Sequence, residues 1–315
     1  MPDPDMSIWT GRVDAADGPA ALRWHQMVKP LAADSPPGVA LVGFACDEGV
    51  RRNGGRAGAR DGPRAIRAAL ANLAWHQDWP VSDAGDVVCD GDLEVAQSRL
   101  AVAVAGAIRG GHRPLVLGGG HETAWGTFLG IAAAQPDATV GVINIDAHLD
   151  LRADEPGNSG TPFFQIARWC EANRRPFQYL CVGVAEPSNT AALFDRAASL
   201  GVEWIPDTDF FPPDRAEPRR LIDHFVERVD RVYLSVDLDV LPAATMPAVS
   251  APAARGVAFE IVETLVERIA ASGKVAAADL VEFNPALDTD GRGTRVAARL
   301  AWLLAQCWEA PEDSE

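Results

Sequence analysis

Eight short segments of the chain are apolar almost without interruption, and that pattern constrains the fold more than any other feature. They are GVALVGFA (38–45), GDVV (85–88), PLVLGG (114–119), TVGVINID (139–146), QYLCVGV (178–184), VEWI (202–205), RVYLSVD (231–237) and ADLVEF (278–283). A strand with one wet face alternates apolar and polar residues, whereas a continuous run is buried on both faces. Longer amphipathic stretches lie among them, notably 62–76, 94–110 and 259–273, with a last one at 295–309. Helices alternating with doubly buried strands predict a three-layer α/β/α sandwich around a mainly parallel eight-stranded sheet. Residues 1–315 read as one domain, with 1–37 as an N-terminal extension containing a helix and 310–315 as a fraying tail.

Charge narrows the range of partners. A net charge of −16 repels nucleic-acid phosphates and anionic lipid heads, so neither nucleic acid nor membrane is expected. No segment reaches the roughly 18 continuous apolar residues of a membrane span. The polar, acidic start MPDPDMSIWTGRVDAADGP does not read as a secretory signal. Five scattered cysteines without a CxxC pair read as reduced core thiols, as in a cytoplasmic protein.

In a parallel sheet, ligands gather at the carboxyl ends of strands. Three of the apolar runs end in ligand-type residues. TVGVINID leads into AHLDLR, which spaces Asp146, His148 and Asp150 at i, i+2 and i+4, one face of the chain if it stays extended. Two carboxylates and an imidazole suit Mn²⁺, Fe²⁺ or Zn²⁺. RVYLSVD ends in Asp237-Leu238-Asp239. Two like charges that close repel unless a cation lies between them, although one can equally cap a helix while the other faces water. PLVLGGGHE brings His121 to a strand-to-helix corner, as a ligand or as a packed histidine. Together His121, Asp146, His148, Asp150, Asp237 and Asp239 are enough to hold two divalent ions of the Mn²⁺ type. The remaining histidines, His25, His76, His112 and His224, have no partner motif and read as structural or surface residues.

GGGHE, NIDAHLDLR and SVDLDVLP resemble, in order and spacing, the three metal-binding signatures of the arginase/agmatinase (ureohydrolase) family. GARDGPRAIR (58–67) and DLVEFNPALD (279–288) look like its early and late elements, so the resemblance covers most of the chain. It implies an arginase-like fold with two Mn²⁺ per subunit held by those six residues, and a metal-bridging hydroxide as nucleophile. It also implies Asp150 as the proton shuttle and Glu282 as the group that touches the amidine end of the substrate. Arginase-like proteins are commonly oligomers, which leaves a homo-oligomer open.

DEGVRRNGGRAGARDGPRAIR, SGTPFFQIA, EPSNTAALF and DLDVLPAATMPAVSAPAARG look most like the branch that cleaves N-formimidoyl-L-glutamate to L-glutamate and formamide in histidine degradation. Agmatinases read SHGTPF where this chain has NSGTPF, so Ser159 stands in place of a histidine, which counts against arginase or agmatinase activity. Arg152, two residues past Asp150, is a natural clamp for a carboxylate on a small substrate, or a partner for Asp154 or Glu155. Arg255 offers a second clamp or a surface charge, and Asn158, Ser159 and Asn189 offer hydrogen bonds. A guanidino-acid hydrolase would suit Arg152 as well. A catalytically inactive metal-binding scaffold is the reading from another class, opposed by the intact ligands and Glu282.

Overall fold

The computed structural model describes residues 4–76, 78–211 and 216–307. Among them nine strands form one sheet. They are β1 (Lys29–Pro30), β2 (Val39–Ala45), β3 (Val81–Val88), β4 (Arg113–Leu117), β5 (Val140–Ile145), β6 (Gln178–Val184), β7 (Glu203–Pro206), β8 (Arg231–Asp237) and β9 (Val275–Val281). Their order is β1-β3-β2-β4-β9-β8-β5-β6-β7, and every neighbouring pair is parallel. All eight apolar runs are strands; the ninth is the two-residue edge strand β1.

The helices are α1 (Trp24–Met27), α2 (Glu48–Arg52), α3 (Gly62–Leu70), α4 (Leu93–Arg109) and α5 (Thr123–Ala134). After these come α6 (Pro162–Ala172), α7 (Ala191–Ser199), α8 (Glu217–Glu227), α9 (Phe259–Ala270) and α10 (Arg292–Gln306). Alternate strand residues explain the layering. Leu115 and Leu117 of β4 enter one apolar cluster with Ile66, Leu70, Phe225, Leu265 and Leu300, while Val116 enters a second with Leu100, Phe128, Phe163 and Leu193. Hence α3, α8, α9 and α10 cover one face, and α4, α5, α6 and α7 the other. Each buried Leu or Val contributes about 1.5–3 kcal/mol, so a one-residue slip of a strand is heavily opposed.

β3 starts four residues earlier than its apolar pattern, and the reason is a buried ion pair. Asp83 is only 1% exposed. Arg67 Nε and Nη2 donate to its two oxygens at 2.9 Å, and Trp9 Nε1 donates at 2.8 Å. A carboxylate so fully paired is tolerated inside a sheet. Trp9 and Trp24 belong to the first apolar cluster, so the N-terminal extension docks on the body of the fold. All five cysteines are free thiols. The tail, 310–315, lies outside the described residues, and no helix among those described is long and apolar enough to cross a membrane.

β4, β9, β8 and β5 lie side by side at the centre. At their carboxyl ends, in that order, come His121, Glu282, the pair Asp237 and Asp239, and the group Asp146, His148 and Asp150. The strand order reverses here, which is where an open parallel sheet forms a crevice for ligands.

Candidate metal centre

β5 stops at Ile145, and Asp146–His148 form a bend where the spacing predicts an extended continuation. The three side chains converge by other means. Asp146 Oδ1 accepts the His148 N–H at 2.7 Å, which turns the chain, and Asp150 adopts a left-handed φ of 45°. The end of β8 repeats the device: Asp237 Oδ1 accepts the Asp239 N–H at 2.8 Å and caps the short turn Leu238–Val240. Its other oxygen, Oδ2, lies 3.0 Å from His121 Nδ1, so Asp237 both caps and faces the cluster. His121 follows a glycine turn that only glycine permits. A Cβ on Gly119 would sit 1.7 Å from the Cys46 carbonyl oxygen at the end of β2.

His121 Nδ1 is 3.2, 3.0 and 3.0 Å from oxygens of Asp146, Asp150 and Asp237, yet it is hydrogen-bonded to none of them. His148 Nδ1 is 3.0 Å from Asp239 Oδ2. Two ligand groups result: His121, Asp146, Asp150 and Asp237, then Asp146, His148 and Asp239, with the atoms of each group within 4.8 Å of one another. Asp146 is common to both. Atoms that close without mutual hydrogen bonds are aimed at a shared point. His121 Nδ1 and Asp239 Oδ1 are buried without a partner, a loss of about 1–3 kcal/mol each that a cation removes. Imidazole nitrogens and carboxylate oxygens, without sulfur, fit divalent ions of the Mn²⁺ type.

The electrostatics agree. Burial, reinforced by Asp239 and Asp146, pushes Asp237 well above the usual carboxylate range. Burial and Asp146 raise Asp150. Burial also raises Asp239, to about 6, with Asp146 and Asp150 adding repulsion against the pull of His148. Asp146 goes the other way: burial opposes ionisation, but the adjacent His121 and His148 hold it low. Both imidazoles are raised. At His121 the three carboxylates overcome burial, and at His148 Asp239 is the main cause. Four carboxylates in one dry place do not all ionise without added positive charge.

Glu282 accepts the His121 backbone N–H at 2.8 Å, and burial, with Glu122 and Asp239 close by, pushes its carboxyl up to about 8. Its φ is 68°. Asp150 and Glu282 are two of three described non-glycine residues with positive φ, conformations that persist where packing enforces them and that cluster at functional sites.

The proposed substrate contacts fare unequally. Arg152 is exposed; its N–H donates to the Gly160 carbonyl at 2.8 Å and its stem crosses Gly160. Asp154 accepts from Asn158 Nδ2 at 3.3 Å. Ser159 Oγ accepts from Asn53 Nδ2 at 3.1 Å, which places Arg152, Ser159 and Asn53 together. Asn158 is a buried turn-former whose Oδ1 accepts the Gly160 N–H. Asn189 accepts from Leu149 N–H and donates to the Ala147 and Ala185 carbonyls, so its amide orients the ligand loop rather than facing a substrate. Arg255 lines a cavity of about 580 Å³ with Phe194, Trp204 and Asp207, and none of the six ligand residues borders it. Sequence reasoning missed Asn53, which carries only loop character there. It also missed Asn144, whose Nδ2 donates to Asp146 Oδ2 at 2.8 Å from within an apolar strand.

Residues 37–306 match the model of the arginase family. The chain belongs to that family. Among its family relatives, the formimidoylglutamase of Chromobacterium violaceum is 60% identical over 303 residues, 96% of this chain and 98% of that one. The crystal structure of formimidoylglutamase from Bacillus subtilis superposes with a TM-score of 0.83 at 24% identity, over 95% of this chain and 94% of that one. Trypanosoma cruzi formiminoglutamase, solved with Mn²⁺, gives 0.76 at 28% identity, over 86% and 93%.

Proposed function

We propose that this arginase-family chain is a metal-dependent hydrolase that cleaves N-formimidoyl-L-glutamate to L-glutamate and formamide. The observation that carries the reading is the pair of ligand groups sharing Asp146, in a chain 60% identical to a formimidoylglutamase. One Mn²⁺ is assigned to His121, Asp146, Asp150 and Asp237, and a second to Asp146, His148 and Asp239. When bound, such ions supply Lewis acidity that lowers the pKa of a water and polarises the substrate.

The chain's own groups do the rest. Glu282, steadied by the His121 N–H and ionised once bound cations offset the burial and neighbouring negative charge that raise it, offers its carboxylate to the amidine N–H groups. Asp150 turns Oδ2 toward His121 and leaves Oδ1 to take a proton and return it to the departing glutamate nitrogen. Arg152 pairs with a substrate carboxylate, which N-formimidoylglutamate has and agmatine lacks. Ser159, backed by Asn53, supplies a small neutral contact where agmatinases carry histidine.

The test is turnover of the Mn²⁺-loaded protein with N-formimidoyl-L-glutamate, L-arginine, agmatine and 4-guanidinobutyrate, scored by formamide, urea and amine release. Selective cleavage of the first is the expected result. Cleavage of a guanidino compound alone overturns the substrate and keeps the metal centre. No turnover of any substrate by fully loaded protein favours a scaffold.

A further inference from the structure

Behind His121 a line of buried polar groups runs away from the ligand cluster, and the reaction described above uses none of it. His121 Nε2 is 3.0 Å from Ser235 Oγ. Ser235 Oγ donates to Asp279 Oδ1 at 2.6 Å, and the Tyr233 hydroxyl donates to Asp279 Oδ2. Ser235 and Asp279 are register partners on β8 and β9, and Ser235, Asp279 and Tyr233 are fully buried. Asp279 interrupts the apolar run VAAADLV, where a carboxylate survives only if it is well paired.

A serine hydroxyl has one proton. Ser235 gives it to Asp279, so toward His121 the Ser235 oxygen can only accept, and Nε2 carries the ring proton. In the neutral ring that a bound cation requires, Nδ1 is then left with its lone pair, and Nδ1 is the atom that faces Asp146, Asp150 and Asp237 without a hydrogen bond of its own. We propose that Asp279, acting through Ser235, is a positioning residue for the metal position built on His121, because it fixes the tautomer and ring orientation that offer Nδ1 to the ion. The inference rests on the two-ion reading above and is independent of which amidine is cleaved.

The direction of the relay makes asparagine a poor substitute despite its shape. An amide N–H₂ facing Ser235 donates to it, Ser235 then donates to Nε2, and the ring proton moves to Nδ1. An Asp→Asn exchange behind a catalytic histidine fails through the same wrong tautomer. The group Asp146, His148 and Asp239 does not draw on the relay, since His148 turns Nδ1 to Asp239 and is part-exposed. The effect is therefore asymmetric between the two ions.

The experiment is titration of the metal-free protein with Mn²⁺, reading free ion and the signal of the Mn²⁺ pair by EPR, for wild type, Ser235→Ala, Asp279→Asn and Tyr233→Phe. Ser235→Ala and Asp279→Asn should each weaken one of the two affinities about 10–100-fold and leave the other nearly unchanged. Tyr233→Phe, which leaves the Ser235–Asp279 bond in place, should weaken neither by more than about threefold. In Zn²⁺-loaded wild type, ¹⁵N-imidazole spectra should show His121 protonated at Nε2. Should Asp279→Asn not fold, Ser235→Ala, which deletes a single oxygen, decides alone. Equal loss of both affinities in step with thermal stability, or wild-type affinity at both positions, overturns the proposal. A wild-type chain that binds a single Mn²⁺ overturns instead the two-ion reading, and does so before any variant is compared.

Discussion

Stripped of cations, the ligand cluster makes the protein less stable as pH rises, and Asp239 sets the scale. Its carboxyl lies at about 6 in the metal-free fold against an ordinary 3.8. A raised acid contributes its full stability below the ordinary value, where folded and unfolded chains both hold the proton. That stability is lost as pH climbs through about 6, because the folded chain must then ionise in a dry, anionic place. A displacement of that size is about 3 kcal/mol, or roughly 4–5 °C of Tm for a chain this long. Asp150 and Asp237 are raised and act in the same direction, as do His121 and His148. Asp146 is lowered, but it is ionised folded and unfolded above about pH 5 and adds no slope there. Mn²⁺ binds the ionised form, so the rise in Tm on adding it should grow with pH. The assay is calorimetry from pH 5 to 8, with chelator or excess Mn²⁺, on wild type and Asp239→Asn. Asparagine cannot ionise, so the metal-free variant should lose roughly 2 °C less across this range, where about half of that displacement is felt, and outlast metal-free wild type at pH 8. A metal-free Asp239→Asn protein that loses Tm as steeply as wild type refutes the reasoning, because the slope then belongs to groups other than Asp239.

Three further substitutions probe separate parts of the site. Glu282→Gln still accepts the His121 N–H, so it should keep both Mn²⁺ ions while kcat falls on the order of 10²-fold; steady-state kinetics alongside metal counting separates the two. Arg152→Ala should raise KM about 10–100-fold with little change in kcat, and an unchanged KM removes the carboxylate clamp. Gly119→Ala forces its Cβ to within 1.7 Å of a backbone oxygen, so it should cost about 1–3 kcal/mol and lower Mn²⁺ occupancy. A wild-type Tm for Gly119→Ala would show that the turn has slack.

The central strands were legible because burial on both faces leaves few polar positions to blur the pattern; every residue of β5 and β9 is buried. The misses obey the same rule. β1 is two exposed residues, Lys29 and Pro30, with no apolar signal to read. The first half of β3 hides behind Ser82 and Asp83, and Asp83 is neutralised by Arg67 and by Trp9, which lies 74 residues away in the chain. A pairing that distant leaves no trace in a local pattern.

The candidate ligand cluster was legible for a different reason: each motif closes a strand, and the sheet order sets the ends of β4, β8 and β5 around one crevice. Substrate contacts were not, because residue type does not say where an amide points. Asn158 and Asn189 sit in the right loops but spend their groups mainly on backbone and on Asp154. The groups that support the ligands left a subtler signal. Asn144 in VGVINI, Ser235 in RVYLSVD and Asp279 in VAAADLV each interrupt a central strand and are fully buried. A lone polar side chain in a doubly buried strand must find a partner. Near the carboxyl ends of these strands the partners lead to the candidate ligands: Asn144 reaches Asp146, Ser235 reaches His121, and Asp279 reaches His121 through Ser235. The polar interruptions of the central strands therefore point to the side chains that hydrogen-bond the candidate cluster from behind, as the apolar runs around them point to the sheet.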